Sequence, residues 1–100
     1  MSDDRPSMPV STASVSWVDG QGGEHIRVYS SDGYMVKERG NDGGTGWWDG
    51  AFSQPGRNVS ATVRVVGGQS IIRVYCTITD VTTEWCWDGN GWYKGAYTTT

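Results

Sequence analysis

The sequence predicts an all-β fold: eight short strands arranged as two copies of one four-stranded unit. Three observations predict it. Glycine occurs 15 times in 100 residues beside many Thr, Ser and Val, and no stretch shows a 3.6-residue apolar period, so strands and turns are favoured over helices. Ile-Arg-Val-Tyr stands at 26–29 and again at 72–75, an offset of 46 that Glu38 and Glu84 also keep. Trp47-Trp-Asp-Gly-Ala-Phe52 matches Trp92-Tyr-Lys-Gly-Ala-Tyr97 at an offset of 45, so the first copy carries one extra residue between Glu38 and Trp47. A period of about 45 residues with several strands per copy is the length of a β-propeller blade. Two blades do not close a ring that takes about 4–8. The chain therefore closes by oligomerising, or it is not a propeller.

Taken in order, residues 1–13 are polar, hold two prolines and have no apolar run, which makes them a mobile tail and not a secretory signal. Strands are expected at 14–18, 25–30, 34–39 and 47–52 in the first repeat (about 14–56). Asp19-Gly-Gln-Gly-Gly23 is a loop and Asp32-Gly33 a turn, because these residues tolerate positive φ. Gly40 to Gly46 is expected as a flexible loop, longer than its counterpart in the second copy. Ser53 to Arg57 is a turn-rich linker. The second repeat (about 57–100) has strands at 59–66, 71–77, 82–87 and 92–97, with turns at Gly67-Gly68, near Asp80 and at Asp88-Gly-Asn-Gly91.

Composition narrows the function. A net charge of −3 supplies no basic field for nucleic acid, and no apolar run approaches a membrane span of roughly 18–20 residues. No compartment is assigned. Strand alternation sends Cys76 and Cys86 to opposite faces, so they are expected as free, partly buried thiols. Six Trp and five Tyr in so short a chain are either core or a contact surface.

Arg27 with Glu38, and Arg73 with Glu84, recur on adjacent strands and share a face. As structure, each is a cross-strand ion pair worth about 0.2–1 kcal/mol. As function, each is a clamp for a neutral polyol, with guanidinium donors and carboxylate acceptors meeting vicinal hydroxyls. Trp47 and Trp92 recur at the edge of glycine-rich turns, and Trp87 precedes one. They are core residues or platforms on which the C–H-rich face of a sugar stacks. The same alternation puts Glu84 and Trp87 on opposite faces of one sheet, so they serve two different surfaces.

Weaker signals stay structural. Asp88-Gly-Asn-Gly91 is a hairpin turn that lacks calcium-loop spacing, and His25, the only histidine, is a strand-edge residue. Asn58-Val-Ser60 is a glycosylation sequon by pattern. Glycoside hydrolysis usually takes two carboxyl groups about 5–10 Å apart, whereas each clamp has one carboxylate beside an arginine, which argues against an enzyme.

IRVY, TEWCWDGNGW, KGAY and FSQPGRNVSAT make the chain resemble, from about Ser14 to Thr100, the fucose-binding lectins of the Aleuria aurantia type. The likeness is strongest to the short two-repeat bacterial members. That resemblance implies a six-bladed propeller made by a homotrimer of two-bladed chains. It implies L-fucose and fucosylated glycans as ligands, bound between neighbouring blades, with no cofactor and no catalysis. Carried over, one site lies within the chain: Arg27 and Glu38 for the hydroxyls, Ala51 for a backbone contact, Trp87 and Trp92 for the aromatic wall. A second lies between chains: Arg73, Glu84 and Ala96, with Trp47 of a neighbouring chain. The family's second aromatic there is replaced by Asn41, and Arg64 stands where relatives place Trp. The within-chain site is therefore complete and the between-chain site impaired. The rival reading is a structural or protein-binding propeller with reduced sugar binding.

Overall fold

The protein is described over residues 9–99 in a computed structural model. Eight strands follow one another: β1 Ser11–Val18, β2 Glu24–Ser31, β3 Met35–Asp42, β4 Trp47–Pro55, β5 Asn58–Val66, β6 Gln69–Ile78, β7 Val81–Trp87 and β8 Trp92–Thr98. They form two antiparallel sheets, ordered β1-β2-β3-β4 and β5-β6-β7-β8. Each sheet is a meander, because every connection is a tight turn between neighbours. The β5–β6 hairpin turns at Gly67 and Gly68 with φ of 58° and 80°. The β6–β7 hairpin closes Ile78 onto Val81 through Thr79 and Asp80, both at positive φ (52° and 65°).

Three expectations about boundaries need correction. The tail expected over 1–13 is shorter: Ser11, Thr12 and Ala13 pair with Ser31, Ser30 and Tyr29, and residues 1–8 lie outside the described residues. Ser11 also accepts the Val59 amide at 3.0 Å, which ties β1 to β5. The loop expected over 40–46 begins only after Asp42, because β3 keeps pairing with β2 as far as His25↔Asp42. Its short remainder is closed by the Gly43 amide on the Glu24 carbonyl (2.7 Å) and the Gly44 amide on Asn41 Oδ1 (3.0 Å). The linker expected over 53–57 is mostly strand, since β4 runs to Pro55 and β5 starts at Asn58. Gly56 is required there: a Cβ would press into the side chains of Val36 and Cys76, one from each sheet.

The two sheets stack face to face. On the first, Val15, Tyr29, Val36 and Phe52 point inward; on the second, Ile72, Val74 and Cys76 meet them. Full burial of such side chains stabilises by roughly 1.5–3 kcal/mol each. Among the described residues, nothing covers the opposite face of each sheet. Trp47, 47% exposed, marks the bare face of the first sheet, and Tyr97, 49% exposed, that of the second. Cys76 and Cys86 are both free and lie on opposite faces of their sheet, opposite Thr83 and Arg73 respectively. Both are buried, more fully than expected, and burial pushes the Cys76 thiol up to about 11.

Each sheet also carries a bulge at the same place. Lys37 pairs with Ser53 and Arg39 with Asp49, so Glu38 alone faces Gly50, Ala51 and Phe52. Thr83 pairs with Thr98 and Trp85 with Lys94, so Glu84 alone faces Gly95, Ala96 and Tyr97. The extra residues bend the outer strand and seat a carboxylate inside the bend.

Candidate functional site

The carboxylate in each bulge is fixed by its neighbours. Glu38 Oε2 accepts the Tyr29 hydroxyl at 2.7 Å, and Glu84 Oε2 accepts that of Tyr75 at the same distance. Gly50 and Gly95 lie directly against the carboxylates of Glu38 and Glu84, where a Cβ would overlap them. Burial pushes the Tyr29 phenol far up, and the neighbouring Glu38 charge adds to it, so Tyr29 is a permanent donor. The hydrogen bond from Tyr75 holds Glu84 below the usual carboxylate range. Each carboxylate keeps an oxygen for another partner. In the second sheet Oε1 already receives the Tyr97 amide at 3.3 Å.

Aromatic rings of the second sheet reach the first at this point. Trp92 lies edge-on to Phe52 at 4.7 Å and to Tyr29 at 6.1 Å between ring centroids, and Trp87 is 5.8 Å from Trp92. Trp87 and Trp92 thus belong to the inner face of β7 and β8, while Glu84 points to the outer one, as alternation requires. Of the residues expected in the within-chain site, Glu38, Trp87 and Trp92 gather along the seam between the sheets. Arg27 shares the face of Glu38, and Ala51 is exposed in the bulge beside it.

The expected clamp geometry is corrected in the first sheet. Arg27 forms its ion pair with Asp42, Nη1 to Oδ1 at 2.9 Å, not with Glu38, whose charge is engaged by Tyr29. Its guanidinium lies over the Trp17 and Trp48 rings, at 5.0 and 4.6 Å from their centroids. In the second sheet Arg73 does approach Glu84, at 3.7 Å. Arg73, Glu84 and Ala96 lie together on the bare face of the second sheet, whereas Trp47 and Asn41 pair with each other on the bare face of the first. One chain does not bring these two groups together. Asn41 serves as a turn cap through its bond to Gly44.

Sequence reasoning missed a second cluster. His25, expected as an ordinary strand-edge residue, bonds two carboxylates: Nδ1 to Asp42 Oδ1 at 2.6 Å and Nε2 to Asp19 Oδ2 at 2.8 Å. Its ring stacks on Trp17, centroids 5.0 Å apart. The bonds to Asp42 and then Asp19 raise the His25 pKa. Asp19 falls to about 2, through the His25 bond first and then the Gly23 and Gln21 amides. Burial would raise Asp42, but the bonds from His25 and Arg27 outweigh it and lower it. No three His, Cys, Asp or Glu side chains among the described residues are arranged to hold a metal ion. Asp88 repeats Asp42, but Asp19 and His25 occur in one copy only, since Ile71 stands at the register position of His25. A search for repeated residues therefore passes over them.

Residues 5–100 match a family described as fungal fucose-specific lectin. A fucose-specific lectin of Aspergillus fumigatus is 34% identical over 80 residues, 72% of this chain and 25% of the relative. One from Arthroderma benhamiae is 31% identical over 98 residues, 91% of this chain and 27% of the relative. Among solved structures, SapL1 lectin in complex with alpha methyl fucoside superposes with a TM-score of 0.68 at 31% identity, covering 88% of this chain and 32% of that one. A mutant of Aleuria aurantia lectin with alpha-methyl-L-fucoside gives 0.61 at 28% identity, covering 89% and 30%. The chain spans about a quarter to a third of the length of these proteins.

Proposed function

Because the chain belongs to the fungal fucose-specific lectin family, we propose that it is a lectin for L-fucose and fucosylated glycans. Its site lies in the seam between the sheets. Glu38 and Arg27 meet the sugar hydroxyls, Ala51 offers backbone, and Trp87 with Trp92 takes the apolar face. The observation that carries this is Trp92 of the second sheet standing 4.7 Å from Phe52 and 6.1 Å from Tyr29, the residue that fixes Glu38. A neutral deoxyhexose has both surfaces this seam offers, a ring face with a methyl group and a set of vicinal hydroxyls.

Binding without turnover is the reading favoured by the site's chemistry. A glycosidase holds one carboxyl group protonated near neutrality. Asp42 is shifted the opposite way, and Glu38 accepts a hydrogen bond from Tyr29.

The chain assembles as a homotrimer, in this reading, closing a six-bladed propeller. The face of the second sheet that carries Arg73, Glu84 and Tyr97 is the counterpart of the first-sheet face already covered within the chain. Repeating that contact head to tail covers both bare faces and makes a heterologous ring. It also joins Arg73, Glu84 and Ala96 to Trp47 of the next chain as a second site, with Asn41 in place of an aromatic wall. Several weak sites on one particle raise avidity on a fucosylated surface.

Calorimetric titration with methyl α-L-fucoside tests the reading. Saturable binding that Glu38→Gln removes is expected. Absence of binding in the folded protein would instead favour a protein-interaction module, the alternative for which Asn41 speaks.

A further inference from the structure

We propose that Asp42 is the positioning residue for the Arg27 guanidinium, and that it is set in turn by His25. This rests on the lectin reading above and deepens it. Asp42 Oδ1 takes two donors at once, His25 Nδ1 at 2.6 Å and Arg27 Nη1 at 2.9 Å, while Oδ2 takes Trp48 Nε1 at 3.1 Å. Arg27 also donates to the Ile26 carbonyl at 2.9 Å and is covered by the Trp17 and Trp48 rings. A guanidinium held by a carboxylate, a carbonyl and two indoles has surrendered its rotamer freedom before ligand arrives, and the ordering cost of binding falls accordingly.

The second sheet shows what happens without this frame. Arg64 and Ile71 pair where Trp17 and His25 pair in the first, and Tyr93 lies opposite Cys86 as Trp48 lies opposite Gly40. Asp88 is present but receives the Tyr93 hydroxyl at 3.4 Å. Arg73 turns to Glu84 at 3.7 Å, and its Nη1 is buried with no partner. An aspartate at this position is therefore insufficient; His25, Trp48 and Trp17 complete the frame.

The frame carries a pH signature. The charged groups facing His25 are Asp19 from the β1–β2 turn, Asp42 from β3 and Arg27 from its own strand; Trp17 of β1 covers its ring. As imidazolium, His25 donates to both aspartates. Once neutral it has a single N–H and no charge, so its bond to Asp42 loses charge assistance even where Nδ1 keeps the proton, and Asp42 loosens. Fucoside affinity of the first-sheet site should therefore weaken as pH rises through the elevated His25 pKa. The second-sheet site, with Ile71 at that position, should not respond.

The test is calorimetry with methyl α-L-fucoside on the full chain at about pH 5.5 and 8.5. Asp42→Asn should weaken first-sheet binding about tenfold at the lower pH and flatten the pH profile. His25→Gln should flatten it too. Trp48→Phe, which keeps the ring and loses the donor, reads the same frame should Asp42→Asn not fold. Side-chain nitrogen spectra of Arg27 supply a readout without sugar, with restricted guanidinium rotation expected in the wild type and released in Asp42→Asn. Wild-type affinity, pH profile and Arg27 spectrum in Asp42→Asn, with binding lost in Glu38→Gln, would overturn the positioning role and leave the lectin reading intact. A wild-type chain that takes up no fucoside at either pH would overturn both.

Discussion

At the scale of single residues, Glu38 joins stability to the proposed recognition. Its carboxylate receives the hydroxyl of Tyr29, which is 0% exposed, and its other oxygen faces the bulge. Glu38→Ala should therefore do two things: remove fucoside binding, and leave the Tyr29 hydroxyl unpaired at a cost of about 1–3 kcal/mol. Chemical denaturation and calorimetry on the same sample separate the two losses. Arg27→Ala should lose most of the binding, on the scale of about 1.5–3 kcal/mol for a charged hydrogen bond. Near-normal affinity in both variants would reduce the pair to a structural feature. Gly50→Ala should weaken binding as well, because its Cβ takes the space of the Glu38 carboxylate. The Asp19–His25–Asp42 cluster makes stability depend on pH with a definite sign. His25, raised above 6.5, contributes fully below that value, and its contribution is lost as pH rises through the elevated pKa. Asp19 contributes above 3.8, and its share is lost as pH falls towards about 2. The thermal midpoint should peak between these limits in the wild type, and His25→Gln should remove the decline on the alkaline side.

At the scale of elements, the hairpins set the register on which the site depends. The β6–β7 turn uses Thr79 and Asp80 at φ of 52° and 65°, a conformation that glycine and asparagine adopt with less strain than a β-branched residue. The double substitution Thr79→Asn with Asp80→Gly should stabilise the chain by about 0.5–1 kcal/mol. A rise in thermal midpoint with unchanged fucoside affinity checks it; a fall would mean that the Thr79 or Asp80 side chain itself supports the turn. The same scale explains an exchange of volume between the sheets. Trp48 covers Gly40, where a Cβ would strike the indole, whereas Tyr93 lies opposite Cys86. A larger ring goes with a bare backbone and a smaller ring with a thiol, so both positions fill their space.

At the scale of the whole molecule, two sheets that cover one face each leave two faces bare among the described residues. In the proposed trimer these become interfaces, and light scattering should return about three chain masses. The two sites of each chain should then be unequal. The seam site has Trp87 and Trp92, while the between-chain site has Trp47 with Asn41, already engaged as a turn cap. Losing one stacking ring costs about 1–3 kcal/mol by analogy with bases, or roughly 10- to 100-fold in affinity. Titration should saturate near one fucoside per chain before the second site fills. Asn41→Trp should strengthen that second site even though it removes the bond to the Gly44 amide. Two equal sites in the wild type would show that another side chain supplies the wall.

The sequence alone determined the all-β class, the eight strands, their division into two like sheets, and the faces of Glu84 and Trp87. These follow from local rules: alternation along a strand, turn residues at fixed places and a motif written twice. Arg27, Glu38, Trp87 and Trp92, the residues of the proposed site, are singled out in the sequence because repetition or resemblance marks them. What only the tertiary structure decided is the partner of each charge. Arg27 and Glu38 share a face, yet a buried tyrosine takes the carboxylate and Asp42 takes the guanidinium. Alternation gives a side chain its face but not its neighbour, and more than one acceptor stood within reach of that face. Asp42 looked like part of a glycine-rich loop until its pairing with His25 extended β3, and His25 looked solitary until β2 placed it between two aspartates. Such contacts span 6 to 17 residues and are made when strands pair, so no local pattern announces them.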